Sequence, residues 1–228
     1  MDVEWWLVRH GLTAWNTERR YQGHSDPPLL PGETSGLTGL RRELEGVNFA
    51  AVYASDLRRC LETLAWARPD LRDKVHIDPR LREMNFGQWE GQTYEMLKDD
   101  ERYRAWIDNP QAVTPPGGES WQAFQSRLSG VCGDLLARSG AVKETVSGVL
   151  GRVSDQPAEP LAPKVTQQLS TSVQEPWRLL IVTHGGVISL LCSLLMPGLR
   201  FWDTRIGPGG VQRLYFQGKE DGEGGKGS

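Results

Sequence analysis

Two histidines stand directly after apolar runs of the sequence. One run, residues 3–8, is followed by Arg9 and His10, and another, residues 179–183, is followed by His184. A guanidinium group keeps its charge at ordinary pH, and its planar set of donors suits phosphate oxygens. A histidine ring, with an ordinary pKa near ~6.5, can act as a nucleophile or as a charged donor. These side-chain types therefore predict a site for a phosphoryl group.

A third apolar run adds further polar groups of the same kind. Residues 49–54 lead into Ser55 and Asp56, and Arg58 and Arg59 follow one helical turn later. In parallel sheets, ligands bind outside the carboxyl ends of the strands. If the three runs are parallel strands, two histidines and at least two arginines converge at one edge of the sheet. Helix N-termini after the glycines at 11 and 185 would add backbone N–H donors for an anion.

The elements that must position these groups alternate along the chain between strand and helix patterns. This alternation predicts an α/β domain around a mostly parallel sheet, with Ser55 as the N-cap of its helix. Strands are predicted at 3–8, 49–54, 74–78, 179–183 and 211–216, and helices at 37–47, 55–67, 119–138 and 187–196.

Three segments depart from the alternation within a single domain of residues 1–216. Residues 86–118 carry aromatic side chains on short helical pieces and are predicted to form a helical cap region over one end of the sheet. Residues 139–176 are poor in large apolar side chains and contain four prolines, which predicts a low-complexity insertion, extended or disordered. Residues 217–228 are predicted to be a disordered tail.

Composition limits the partners and the location of the protein. A formal net charge of -3 predicts neither a nucleic acid nor a membrane surface as partner. The three cysteines are far apart in apolar surroundings, which favours a core role in a reducing compartment, and no secretory signal is visible, so we expect a cytoplasmic protein. The apolar stretch 179–199 is interrupted by His-Gly-Gly, so it predicts a strand and a helix and no membrane span.

The motifs and their order resemble those of the histidine phosphatase superfamily, also called the phosphoglycerate mutase-like family. The resemblance covers residues 3 to about 216, apart from the insertion at 139–176, and its last motifs look most like the phosphatase branch, including α-ribazole phosphatase-like members. It implies a three-layer sandwich, a mostly parallel sheet with helices on both faces. The motifs are LVRHGLTAWN, YQGHSDPPL, VYASDLRRCLET, LREMNFGQWEG, PPGGES and IVTHGGVISLL.

The resemblance also implies a role for each matching residue. His10 would be the nucleophile that forms a phosphohistidine, and Glu83 would be the general acid that later activates water. Arg9, Arg59 and His184 would hold the phosphoryl oxygens, with His184 counted among the catalytic residues. The further substrate-binding positions that it implies are Asn16, Gln22, Gly23 and Gly185. No metal and no cofactor is expected.

The leading interpretation is a metal-independent phosphomonoester hydrolase that acts on a small phosphorylated metabolite. A cofactor-dependent phosphoglycerate mutase and a non-catalytic phospho-ligand binding module are the alternatives. A metallohydrolase is disfavoured because spacings such as H-E-x-x-H are absent from the sequence. Leu12 stands where many family members carry Glu, a departure expected to affect the edge of the pocket. The sequence specifies neither the physiological substrate nor the oligomeric state.

Overall fold

A six-stranded sheet forms the centre of the molecule. The computed structural model describes residues 1–30, 35–140, 146–151 and 175–217. The strands are β1 (Val3–Arg9), β2 (Ala51–Ala54), β3 (His76–Ile77), β4 (Val146–Gly151), β5 (Trp177–Thr183) and β6 (Val211–Phe216). They lie in the order β3-β2-β5-β1-β6-β4.

The sheet is mixed, and its parallel part positions the site. β1 pairs in parallel with β5, and β2 pairs in parallel with both β5 and β3, whereas β6 runs antiparallel to β1 and to β4. Arg9 is in register with Thr183 at the ends of β1 and β5. The next residue of each strand, His10 and His184, therefore leaves the sheet at the same edge.

Helices cover both faces of the sheet, which confirms the predicted three-layer α/β sandwich. Side chains of successive strand residues point to opposite faces, so Trp6 packs with α2 and α3 whereas Trp5 packs with α6 and α7. The helices are α1 (Ala14–Thr17), α2 (Ser35–Leu44), α3 (Arg58–Ala67), α4 (Tyr94–Leu97), α5 (Glu101–Asp108), α6 (Trp121–Ser139) and α7 (Gly185–Leu195).

Two local predictions are wrong. Ser55 does not cap α3: the N-cap is Leu57, without a side-chain cap, because the Ser55 hydroxyl faces His184 instead. The predicted strand 74–78 shrinks to His76–Ile77, because a 3₁₀ helix, Pro69–Lys74, takes up its first residue.

The segment predicted as an insertion, residues 139–176, is described in part. Residues 146–151 form the edge strand β4, a strand that the sequence pattern did not predict. Residues 141–145 and 152–174 lie outside the described residues, as does the predicted tail beyond residue 217.

The region 86–118 contains α4, α5 and a 3₁₀ helix at Gly87–Trp89, in agreement with the predicted short helical pieces. It has a small core of its own, in which Trp89, Tyr103 and Trp106 are buried against Tyr21 and Phe86. Tyr103 is fully buried, and its hydroxyl lies 2.7 Å from that of Tyr21. Aromatic packing therefore holds this region against the loop that follows α1.

The stretch 179–199 folds as β5 followed by α7, as predicted. Among the described residues, no helix combines the length and the apolar character needed to span a membrane. All three cysteines are buried thiols, which confirms their predicted core role.

Candidate active site

His10 lies at the end of β1, and its backbone holds it firmly. Its N–H donates to the Thr183 carbonyl of the neighbouring strand (2.9 Å), and the next N–H, of Gly11, donates to Thr63 Oγ1 (2.9 Å). The ring is 4 % exposed, and Nδ1 lies 2.7 Å from the Gly11 carbonyl oxygen. Because a carbonyl only accepts, Nδ1 carries the proton and Nε2 keeps its lone pair. Nε2 is therefore the ring nitrogen of His10 whose lone pair is available.

His184 faces His10, with 5.2 Å between the ring centroids. The ring is completely buried, Nδ1 accepts from Arg59 Nε (3.3 Å), and Nε2 lies 3.0 Å from the Ser55 hydroxyl. Since Nδ1 accepts, Nε2 carries the proton and donates to Ser55. Cys60 Sγ completes the surroundings at 3.6 Å from Nε2.

Arg59 is completely buried in the first turn of α3. Its Nη1 donates to the Ser25 carbonyl (2.7 Å) and its Nη2 to the Gly23 carbonyl (2.8 Å). These partners are uncharged, so the hydrogen bonds orient the guanidinium without neutralising it. Arg58, its neighbour in sequence, pairs with Glu62 at the surface, as the family motif implied.

Arg9 approaches the same place from the end of β1. Nη1 donates to the Ile206 carbonyl (2.6 Å), whereas the buried Nε has no hydrogen-bond partner among the described residues. A side chain at position 185 would place Cβ 3.4 Å from the Arg9 guanidinium carbon, so Gly185 leaves room along this cation. A buried donor without a partner is costly, which fits a site that an anion completes.

Two further predicted residues, Gln22 and Asn16, form a chain of hydrogen bonds behind Arg59 together with Thr13, which was not predicted. The Gln22 amide satisfies both of its neighbours when its oxygen accepts from Arg59 Nε (2.9 Å) and its nitrogen donates to Thr13 Oγ1 (2.7 Å). Asn16 Oδ1 accepts from Thr13 N (3.0 Å), and Asn16 N donates to Thr13 Oγ1 (3.3 Å), a capping box at the start of α1. Asn16 is thus linked to the arginine through Thr13 and Gln22.

Gly23 lies directly against the cap region. A Cβ at this position would overlap the Glu90 carboxylate and the Met84 carbonyl oxygen. Glu90 Oε1 also accepts from His24 N (2.8 Å), and its Oε2 accepts from Ser25 N (2.5 Å). The Glu90 carboxylate therefore fixes the loop whose carbonyls hold Arg59.

Glu83 lies in a segment without regular secondary structure, after the 3₁₀ helix Pro79–Leu81. Its Oε2 accepts from Gly186 N in the first turn of α7 (2.9 Å), and its Oε1 accepts from Met84 N (3.0 Å). The carboxylate therefore meets the chain two residues after His184. A side chain at 186 would overlap Glu83 Oε1, so glycine at this position lets the carboxylate stay in contact with Gly186 N.

Burial and positive charge act together on the two histidines. The pKa of His10 lies well below its usual value, because burial disfavours the cation and because Arg59 and Arg9 repel it. Burial and Arg59 lower the pKa of His184 in the same way. Both rings are therefore neutral near pH 7, and the positive charge of the site comes from the arginines.

Fold and site together define a class of protein: an α/β sandwich that directs two neutral imidazoles, two guanidinium groups and one carboxylate to the carboxyl edge of its parallel strands. The profile of the histidine phosphatase superfamily (branch 1) matches residues 5–147. The chain therefore belongs to the histidine phosphatase superfamily, and it is a phosphatase of this family.

Two relatives show which members of the superfamily this chain is similar to. The chain is 31% identical over 208 residues to the adenosylcobalamin/α-ribazole phosphatase of Escherichia coli (strain K12), covering 90% of this chain and 85% of the relative. The crystal structure of the α-ribazole phosphatase from Shigella flexneri is similar with a TM-score of 0.72 at 27% identity, covering 94% of this chain and 95% of that one.

The structure brings His10, His184, Arg9 and Arg59 together at one edge of the sheet, and Glu83 reaches the same place through Gly186. The supporting residues that sequence reasoning missed include Thr13, Thr63 and Glu90. Polar side chains at the ends of elements are common, so no pattern separated these from ordinary surface residues. Within the described ranges, no three His, Cys, Asp or Glu side chains are grouped as metal ligands are.

Proposed function

We propose that the protein is a phosphomonoester hydrolase that works through a phosphohistidine at His10, with Glu83 as general acid and then general base. The observation that carries the proposal is the arrangement around His10. Its Nδ1 is bound to a carbonyl, which leaves Nε2 free to attack, and the His184 ring lies edge-on to it, with 5.2 Å between the ring centroids, and accepts from Arg59 Nε. Arg59 and Arg9 act electrostatically on His10 and would supply the positive charge that a phosphoryl group needs.

The first half-reaction transfers the phosphoryl group to the enzyme. His10 Nε2 forms a bond to phosphorus while the bond to the leaving oxygen breaks, and the protonated Glu83 gives its proton to that oxygen. Arg9 and Arg59 stabilise the negative charge on the equatorial oxygens. Arg9 Nε, which lacks a partner among the described residues, gains one when phosphate binds.

The second half-reaction releases phosphate. Glu83, now a carboxylate, takes a proton from a water molecule, whose oxygen attacks phosphorus as the bond to His10 Nε2 breaks. The ring returns to its neutral form, which the low pKa of His10 favours. No metal or cofactor takes part in either step.

The substrate class that we propose is a small phosphorylated metabolite with a nucleoside-like leaving group, such as α-ribazole 5′-phosphate. The support is the match to α-ribazole phosphatases over 90% of the chain in sequence and 94% in structure. The leaving group would contact the region 86–118, whose backbone at Phe86 adjoins Gly23.

The test is phosphate release from a panel of phosphorylated metabolites that includes α-ribazole 5′-phosphate and 3-phosphoglycerate. We expect wild-type turnover, an acid-labile phosphoenzyme after rapid quenching, and loss of both in His10→Ala. His76→Ala is the matched control, because His76 is exposed on β3 and should leave the rate unchanged.

Two outcomes would contradict the proposal. Interconversion of phosphoglycerates primed by bisphosphoglycerate, without net phosphate release, would establish a mutase. Tight phosphate binding without turnover of any substrate would establish a binding module.

A further inference from the structure

The segment that carries Glu83 must be held from outside. Residues 83–86 belong to no helix or strand, so no neighbouring strand or helical turn orders their backbone. Backbone carbonyls in such a segment need partners, and a general acid must stay within hydrogen-bond reach of the leaving oxygen. The structure therefore has to supply a group that fixes this segment.

Arg127, on α6, is that group. Nη1 donates to the Arg80 carbonyl (2.6 Å) and to the Arg82 carbonyl (2.7 Å), and Nη2 donates to the Glu83 carbonyl (2.9 Å). One guanidinium thus binds three carbonyls within four residues of chain, the last of them on the proposed acid itself.

Glu119 takes the remaining donors of Arg127. Nε donates to Oε1 (2.7 Å) and Nη2 to Oε2 (2.9 Å), so all five N–H groups of Arg127 have acceptors. The two side chains are only 18% and 14% exposed, and Glu119 Oε2 also accepts from Asn85 N (3.3 Å). The pair therefore binds the backbone both before and after Glu83.

The opposite side of the segment is tied to the sheet. Arg82 donates through Nε to Asp56 Oδ1 (2.8 Å), and Asp56 follows β2. The Glu83 carboxylate itself accepts from Gly186 N at the start of α7. The proposed acid is thus fixed to α6, α7 and the end of β2 at once.

We propose that Arg127 is a positioning residue for the general acid: together with Glu119, it holds the backbone of residues 80–85 so that the Glu83 carboxyl stays at the leaving oxygen. The inference rests on the proposed function. Lysine cannot replace this arginine, because an ammonium group has three donors at one point and cannot reach three carbonyls and a carboxylate together.

The test uses aryl phosphates of one shape and different leaving-group basicity: p-nitrophenyl, phenyl and p-methoxyphenyl phosphate. A stable p-nitrophenolate needs little help from an acid, whereas the more basic phenolates need a proton. We expect Arg127→Lys to lose about tenfold more kcat/KM on p-methoxyphenyl than on p-nitrophenyl phosphate, within the ~10²–10⁴-fold that general acids contribute. Glu83→Gln should show the same selectivity more strongly.

Arg138→Lys is the matched control. Arg138 is an exposed arginine in the last turn of the same helix, α6, and lies outside the segment 80–85. Its rates should follow the wild type on all three substrates. In the double variant Glu83→Gln/Arg127→Lys, the second change should lower kcat/KM hardly any further, because both changes remove the same general-acid function.

The possible results distinguish a failure of the positioning role of Arg127 from a failure of the acid role of Glu83. An equal loss on all three substrates in Arg127→Lys, or additive losses in the double variant, would overturn the positioning role while Glu83→Gln still shows selectivity. A Glu83→Gln variant that loses activity equally on all substrates would overturn the acid role itself. If Arg127→Lys does not fold, Glu119→Gln is measured with the same substrates and the same expected selectivity.

Discussion

At the scale of single residues, the site contains two arginines, and neither forms a salt bridge with a carboxylate among the described residues. Arg59 is fully buried, and its hydrogen bonds go to carbonyls and an imidazole nitrogen. The two neighbouring histidines are neutral, because burial and repulsion by the arginines lower their pKa values. A doubly charged phosphate relieves this imbalance, so the charge distribution itself favours the proposed substrate.

The two histidines predict how stability depends on pH. Their pKa values are lowered in the folded protein, so below the unfolded value of about 6.5 the unfolded chain binds more protons than the folded one. The free energy of unfolding should therefore fall as pH drops below that value, by up to about 1.4 kcal/mol per pH unit for each ring. Chemical denaturation at several pH values between 7 and 5 measures this slope.

The variants His10→Gln and His184→Gln isolate the effect. Each removes one buried imidazole, so the slope of stability against pH should be reduced by about one proton per variant. A wild-type slope that persists in both buried variants would show that other groups are responsible.

At the scale of secondary-structure elements, glycines decide how closely the site loops can approach one another. Gly23 leaves no room for a Cβ, because Glu90 and Met84 fill that space. Gly39, in contrast, lies in the exposed part of α2, and a Cβ there would have no neighbour within 4 Å. The same substitution should therefore have opposite effects at these two positions.

Gly23→Ala should lower both stability and activity, because the loop must shift and its carbonyl leaves Arg59. We expect a loss of roughly 1–3 kcal/mol, as for other overpacked sites. Gly39→Ala should raise stability by about 0.5–1 kcal/mol, because alanine loses less conformational freedom in a helix. Urea denaturation and phosphatase rates check both, and a neutral Gly23→Ala would show that the contact is not restrictive.

At the scale of the whole molecule, the strands that lead into the site belong to both hydrophobic cores. The parallel strands β1 and β5 contribute Trp5 and Leu179 to one core and Trp6 and Leu180 to the other. The loops from both strands meet at the histidines. A ligand bound there contacts groups from both halves of the sandwich, so its binding energy should stabilise the folded molecule as a unit.

Inorganic phosphate, the product, should raise the melting temperature. At a hundred times its dissociation constant it adds about 2.7 kcal/mol, which corresponds to roughly 5–10 °C for a chain of this size. Arg9→Met should reduce this rise in melting temperature, because it removes the buried Nε donor that has no partner among the described residues. Arg58→Met is the control and should retain it, since Arg58 pairs with Glu62 at the surface. Equal shifts in both variants would contradict this phosphate site.

The sequence by itself was enough to predict the fold class and to name the candidate site residues. Apolar strands that end in Arg9-His10 and in His184 could be recognised because strand periodicity and strand-end chemistry are local properties. The same locality explains why β5 and α7 were separated correctly within one apolar stretch. It also explains two errors, since Ser55 has the residue type of an N-cap and residues 74–78 have the alternation of a longer strand.

Only the tertiary structure decided which groups support the reactive residues. Ser55 lies 3.0 Å from His184, and Arg127 reaches the Glu83 carbonyl from 44 positions away in the chain. Such contacts depend on how strands and helices pack, and no spacing in the sequence encodes them. The neutral state of the two histidines likewise follows from burial and from arginines brought together by the fold. Residue types and their local patterns can be read from the sequence, whereas burial, charge environment and side-chain orientation arise only when distant segments pack together.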